Sequence, residues 1–254
     1  MLPLTFIASA IFIAALIAVL VNFRLLTYPL IPSLNPVAHA QQLRLKGKTL
    51  FISDLHLKAD RPFDHATDLH DFIETNNVSN LVINGDLFDS PEAAQQTLRG
   101  GQAGSGVFKI LGLEGLLVNL LWVIGSPHHD PANYSTSITG SGGLHVLGRC
   151  ALIDFDRFQV LAYHGHDMSL VGAFGHAWDR FVSRLSLERL WRRLAKVDWM
   201  IWVIFGHTHI PGVDVVSRVA NCGGWQRVPL VRPSRTGILI SEHEPVPKLV
   251  QVAQ

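Results

Sequence analysis

The chain has 254 residues, a formal net charge of +1, and 48% hydrophobic against 16% charged side chains. That length accommodates one sizeable α/β domain with its own core, and the small net charge gives no electrostatic footprint for nucleic acid. Two cysteines, Cys150 and Cys222, make no disulfide framework and read as buried small residues.

In chain order, the first feature is an uncharged apolar run over residues 2–23. A helix of that length spans roughly 30 Å, the hydrocarbon thickness of a bilayer. It reads as a transmembrane anchor, a cleaved signal peptide or a buried core helix. Ala38-His39-Ala40 has the small-x-small form of a cleavage site, but no Lys or Arg precedes Arg24, and Ala40 lies far beyond the apolar run. Length and flanking charge favour a single-pass anchor. Arg24, Arg44, Lys46 and Lys48 all follow the span, which places the globular part in the cytoplasm. Residues 24–47, with Pro29, Pro32 and Pro36, read as a juxtamembrane linker, and the folded domain as 48–254.

From Lys48 the chain alternates. Apolar runs at 49–52, 81–83 and 120–124 predict buried strands. Helices are predicted at 64–76 and 108–117, with a Gly/Ser/Gln-rich loop between 90 and 106 that holds a short helix at Pro91. Further strands are predicted at 151–155, 158–163, 200–205, 213–220 and 236–241. The sum is a layered α/β sandwich without internal repeats. Polar clusters follow the carboxyl ends of these strands, the edge where open α/β sheets bind ligands.

Those clusters have ligand chemistry. Asp54-Leu55-His56 sets a carboxylate and an imidazole two residues apart, which in extended backbone face the same way. Gly85-Asp86-Leu87-Phe88-Asp89 adds a carboxylate after a glycine, and His164-Gly165-His166 and Gly206-His207-Thr208-His209 repeat the alternate spacing. Mixed Asp and His donors suit Mn²⁺, Fe²⁺ or Zn²⁺ better than Ca²⁺. Two such ions, about 3.5–4 Å apart, would hold a bridging hydroxide for in-line displacement at phosphorus. One such fragment alone is more often a solvated polar pair or a hydrogen-bonded core histidine than a ligand set; four in order, each after an apolar strand, point to metal.

In that order the fragments resemble the calcineurin-like metallophosphoesterases over about residues 48–241. The resemblance implies a four-layer α/β/β/α sandwich and a binuclear centre that hydrolyses a phosphodiester or pyrophosphate bond. By position, Asp54, His56 and His209 would bind one metal, His164 and His207 the other, and Asp86 would bridge. Asp89 would support the site by hydrogen bonding. The third motif departs from the family's Gly-Asn-His-Asp, reading Gly125-Ser126-Pro127-His128-His129-Asp130. Either His128 takes the place of the metal-binding Asn, or Ser126 lies nearest to it and the extra residues loop out. Adjacency to His129 favours His128. His129 would then be the general acid, oriented by Asp130.

Within the family, the first, second and last motifs look most like the UDP-2,3-diacylglucosamine pyrophosphatase group, which implies a nucleotide-linked lipid as substrate. Residues 170–196 pair apolar positions with Arg180, Arg184, Arg189, Arg192, Arg193 and Lys196. They read as a basic lid over the site, with Arg180 and Arg184 reaching a phosphorylated substrate, or as an amphipathic helix packed on the core. A protein phosphatase, a nuclease or a non-catalytic scaffold are the competing functions, and the oligomeric state is not legible.

Overall fold

The computed structural model describes residues 35–59, 61–98, 103–131, 143–166, 183–227 and 232–254. The apolar run over 2–23, residues 24–34 of the 24–47 segment and Arg180 therefore lie outside the described residues. Among the described residues, no helix is long and apolar enough to cross a membrane.

The elements in order are α1 (Pro36–His39), β1 (Gln41–Arg44), β2 (Lys48–Ile52), α2 (Ala66–Asn76), β3 (Val78–Asn84), α3 (Pro91–Leu98), α4 (Ala103–Ile110), β4 (Asn119–Val123), β5 (Leu144–Val146), β6 (Cys150–Asp154) and β7 (Gln159–Tyr163). They continue with α5 (Ser186–Leu194), β8 (Trp202–Phe205), β9 (Gly212–Asp214), β10 (Val219–Asn221), β11 (Thr236–Ser241) and β12 (Glu244–Gln251). Two six-stranded sheets result. Sheet A runs β1-β6-β7-β8-β10-β9 and sheet B runs β12-β11-β2-β3-β4-β5.

Three apolar clusters define the layers. Phe51, Val82 and Ile238 of sheet B meet Ile153, Val160 and Trp202 of sheet A, so one core lies between the sheets. A second covers the other side of sheet B with Leu69 and Ile73 of α2, Ala94 of α3 and Val107 of α4. The third covers the other side of sheet A with Leu185 and Trp191 around α5, and Val37 of α1. This is an α/β/β/α sandwich, the arrangement the motif resemblance implies. Strands β2, β3, β4 and β8 are buried on both faces, which is why they are near-continuous apolar runs rather than alternating ones.

Several boundaries move. The folded domain begins before Lys48, because β1 pairs in parallel with β6 from Gln41↔Ala151 to Arg44↔Asp154. The short helix predicted at Pro91 is present as α3: Ser90 Oγ accepts the Ala93 N–H at 3.2 Å, and Pro91 needs no partner in the first turn. The helix predicted over 108–117 instead runs 103–110, since the chain turns at Gly112 and Gly115, both at positive φ. The strand predicted over 213–220 is the antiparallel pair β9–β10, reversed through Val215–Arg218.

Candidate metal centre

Every polar motif sits at the carboxyl end of a parallel strand: Asp54 and His56 after β2, Asp86 after β3, the third motif after β4, His164 after β7, and His207 and His209 after β8. Asn84 joins the two sheets at this edge. Its Nδ2 donates to the carbonyls of Tyr163 (3.3 Å) and Ile204 (2.9 Å), tying the ends of β7 and β8 to the end of β3.

The ligand atoms converge in three groups, each within 4.8 Å: Asp54–His56–His209, His56–Asp86–His129, and Asp86–His164–His207. Asp86 belongs to two of them. Its Oδ1 accepts the Ser126 N–H at 2.7 Å, and its Oδ2 lies 3.2 Å from His164 Nε2. Asp54 Oδ2 accepts the His207 N–H at 3.0 Å, and its Oδ1 lies 3.2 Å from His209 Nε2.

The backbone that delivers these groups is unusual. Asp54, His56, Asp86, His207 and His209 have φ of 58°, 48°, 48°, 62° and 57°. Each left-handed non-glycine residue costs on the order of 1–3 kcal/mol, a strain that persists only where the surroundings enforce it. The pairs at i and i+2 therefore meet through alternating left-handed residues, not through extended backbone. A ladder continued past the end of β2 holds them, with N–H groups of Asp54, His56 and Leu57 donating to the carbonyls of Gly85, Asp86 and Leu87. Two glycines make room: a Cβ on Gly85 (φ +88°) would stand 2.3 Å from the His164 ring, and one on Gly224 would stand 2.0 Å from His209 Nδ1.

The donors fit a cation. Both ring nitrogens of His56 are buried without a hydrogen-bond partner, a costly arrangement unless a positive ion satisfies them, and Asp54 Oδ1 and His164 Nε2 face only other candidate ligands. His164 Nδ1–H donates to the Asn84 carbonyl at 2.8 Å, which leaves Nε2 as the coordinating atom.

Charge follows the same geometry. Burial alone would raise Asp54 and Asp86, but His209 and His164 beside Asp54, and His164 beside Asp86, hold both below the usual carboxylate range. Burial opposes protonation of His164, yet Asp86 and Asp54 push it up to about 10; Asp54 likewise raises His209 against burial. Burial lowers His56. A raised imidazole pKa contributes stability that is fully present below its unfolded value near 6.5 and is lost as pH rises through the folded value. With chelator present, the melting temperature is expected to fall between pH 7.5 and 10. Saturating Mn²⁺ should flatten that trend, because coordination requires the deprotonated ring. Differential scanning fluorimetry reads both, and a flat chelated profile would contradict the protonated His164.

The third motif is the main correction. His128 is exposed and lies in none of the three groups, whereas His129 faces His56, with ring centroids 4.4 Å apart, and is a member of the group with Asp86. Nor does Asp130 orient His129. Asp130 is fully buried and accepts N–H groups from Gly125 (2.7 Å), Trp122 Nε1 (3.2 Å) and Phe88 (3.3 Å). Burial, aided by the charge of Asp86, raises it to about 7. The Asp89 carbonyl fixes His129 instead, accepting its Nδ1–H at 2.9 Å, so Asp89 supports the site through its backbone. The Gly125–Pro127 turn accounts for this: the Ser126 carbonyl accepts the N–H groups of both His129 and Asp130, and that tight turn brings His129 inward. His129→Ala is expected to lower metal-dependent turnover at least ~100-fold, and His128→Ala less than about twofold. Equal losses in steady-state assays would contradict the assignment.

Residues 183–196 pack on sheet A. Arg192 donates to the carbonyls of Ile201, Arg218 and Asp198, and Arg189 pairs with Asp214 at 3.1 Å. Arg184 is exposed. Leu187 and Trp191 are buried, whereas Leu190 and Leu194 are exposed. The sequence reading missed Glu188, which is buried and accepts Thr208 Oγ1–H and Asn221 Nδ2–H, both at 2.8 Å. It braces the loop that carries His207 and His209. The signal available was a lone carboxylate within the arginine-rich 180–196 stretch.

No protein-family model matches this chain, and no curated protein matches it. Among solved structures it is similar to an archaeal phosphodiesterase (15% identity, 80% of this chain and 98% of that one, TM-score 0.44). It is also similar to the phosphoesterase Yfce from E. coli (13%, 81% and 100%, TM-score 0.43) and to Vps29 complexed with Zn²⁺ from Entamoeba histolytica (20%, 76% and 84%, TM-score 0.41). These overlaps are loose, and the chemical reading rests on the site itself.

Proposed function

We propose that this chain is a binuclear metal-dependent phosphohydrolase that cleaves a phosphodiester or pyrophosphate bond. The observation that carries the reading is Asp86: one buried carboxylate shared by two groups of candidate ligands, beside a buried His56 whose ring nitrogens have no hydrogen-bond partner. Asp54, His56 and His209 would hold one ion and His164 and His207 the other, with Asp86 the carboxylate available to both and His129 beside Asp86 and His56. Mn²⁺ suits this donor set, as do Fe²⁺ and Zn²⁺. When bound, such ions polarise a phosphoryl oxygen and activate water near neutral pH.

The protein's own part is to fix these groups. Asn84 sets the His164 tautomer, the Asp89 carbonyl sets that of His129, and the left-handed backbone at five ligands arranges them before any ion arrives. A nucleotide-linked lipid is the substrate we favour. The uncharged run over 2–23 would hold the enzyme at the bilayer, with the catalytic domain on the cytoplasmic side. Purified full-length protein is expected to hydrolyse bis-p-nitrophenyl phosphate with Mn²⁺ and to stop on chelation. Absence of turnover with every divalent metal tried would refute the reading.

A further inference from the structure

We propose that the outer side of sheet A carries a docking surface for an anionic lipid bilayer, built from α5, the turn that follows it and the tip of the β9–β10 pair. Single exposed apolar side chains are ordinary on a protein surface. Here they gather. Leu190 and Leu194 of α5 are 48% and 60% exposed, Trp199 and Met200 of the following turn 70% and 50%, and Val215 and Val216 at the tip of the pair 55% and 96%.

Three arginines hold these pieces as one surface. Arg189 ties α5 to Asp214 at the base of the tip. Arg192 ties α5 to the carbonyls of Asp198, Ile201 and Arg218. Arg218 ties the tip back to the turn, donating to the Met200 carbonyl at 2.7 Å with its guanidinium 5.0 Å from the Trp199 ring centroid. The apolar groups are thus presented on a braced frame, as Trp and aliphatic groups are at a membrane interface.

Charge argues for lipid over a second copy of the chain. The exposed or part-exposed cations here are Arg184, Arg189, Arg193, Lys196 and Arg218, against two acids, Asp214 and Asp198. Asp214 and Arg189 neutralise each other as a pair, which leaves Arg184, Arg193, Lys196 and Arg218 against Asp198. A cationic rim around apolar tips matches an anionic leaflet and repels its own copy.

The position of the chain's start agrees. Val37 and Ala40 pack on the same apolar cluster that holds Leu185 and Trp191, so the first described residues enter the fold on this side of sheet A. The intervening residues 24–34 reach roughly 40 Å at most, so a bilayer holding the 2–23 run lies within reach of this face. The inference rests on the proposed anchor for that last point alone.

The two native cysteines are buried, which leaves an introduced surface thiol selectively reactive. Full-length protein carrying Val216→Cys, labelled with an environment-sensitive NBD group, is bound to phosphatidylcholine/phosphatidylglycerol vesicles containing brominated lipid. The reference is the same label at Leu117→Cys, equally exposed but beside the helical layer of sheet B. Strong quenching is expected at 216 and little at 117. Adding Arg193→Glu with Lys196→Glu should cut quenching at 216 several-fold, at unchanged melting temperature and with the protein still floating with vesicles. Flotation without quenching at 216, or equal quenching at both positions, would overturn the surface while leaving the anchor standing. Failure to float would remove the anchor reading and this surface with it. Shielding of position 216 in lipid-free micelles that grows with protein concentration would mean a second copy covers the face, and would also overturn the proposal.

Discussion

Asp86→Asn is expected to lower metal-dependent hydrolysis of bis-p-nitrophenyl phosphate by roughly three orders of magnitude while leaving the fold intact. The substitution keeps the shape and the acceptor for the Ser126 N–H, the contact that shapes the third-motif loop. It removes the charge shared by the His56–His129 and His164–His207 sides of the site. A bound cation contributes several kcal/mol of transition-state stabilisation, and each ~1.4 kcal/mol is tenfold in rate. Losing the shared carboxylate weakens both ions at once, so added Mn²⁺ should restore little. Circular dichroism and a melting curve on the same sample separate this from misfolding. A loss below about tenfold would show that Asp86 is not the shared ligand.

Asp130→Ala carries the largest expected effect on stability. The carboxyl is fully buried and accepts three N–H groups, from Gly125, Phe88 and the Trp122 indole. Alanine leaves three buried donors unsatisfied, each costing about 1–3 kcal/mol, so the expected loss is about 3–5 kcal/mol. For a domain of this size that lowers the melting temperature by roughly 10 °C. Asp130→Asn should fall between, since its amide turns donors toward donors. Were Asp130 the orienting partner of His129, both variants would instead shift the pH profile of turnover at unchanged stability. Thermal melts beside pH–rate profiles distinguish the two.

The parts of the fold that were legible in sequence are those with a one-to-one link between pattern and burial. Strands β2, β3, β4 and β8 are buried on both faces, so they appear as apolar runs, and each run ends where its ligand motif begins. Edge strands have no such link. β1 is Gln-Gln-Leu-Arg, mostly exposed, and carries no run to detect. β12 holds Pro245 and Pro247, residues that argue against a central strand but are tolerated on an exposed edge.

The site divides in the same way. That Asp54, His56, Asp86, His164, His207 and His209 come together was legible because donor type and placement after a strand are both written in sequence. The choice between His128 and Ser126 at the position of the family's Asn was not, because it depends on how the chain turns at Gly125–Pro127. The left-handed backbone at Asp54 and His56 also has no sequence mark, since neither is glycine and the strain is enforced by neighbours far along the chain. Glu188, 20 residues from Thr208, is braced by a contact that only the fold creates.

The most direct test is an anomalous difference map from crystals of the full chain grown with Mn²⁺. The account predicts two peaks roughly 3.5–4 Å apart with Asp86 between them, one against Asp54, His56 and His209 and the other against His164 and His207. A single peak, or none at these residues, would contradict it.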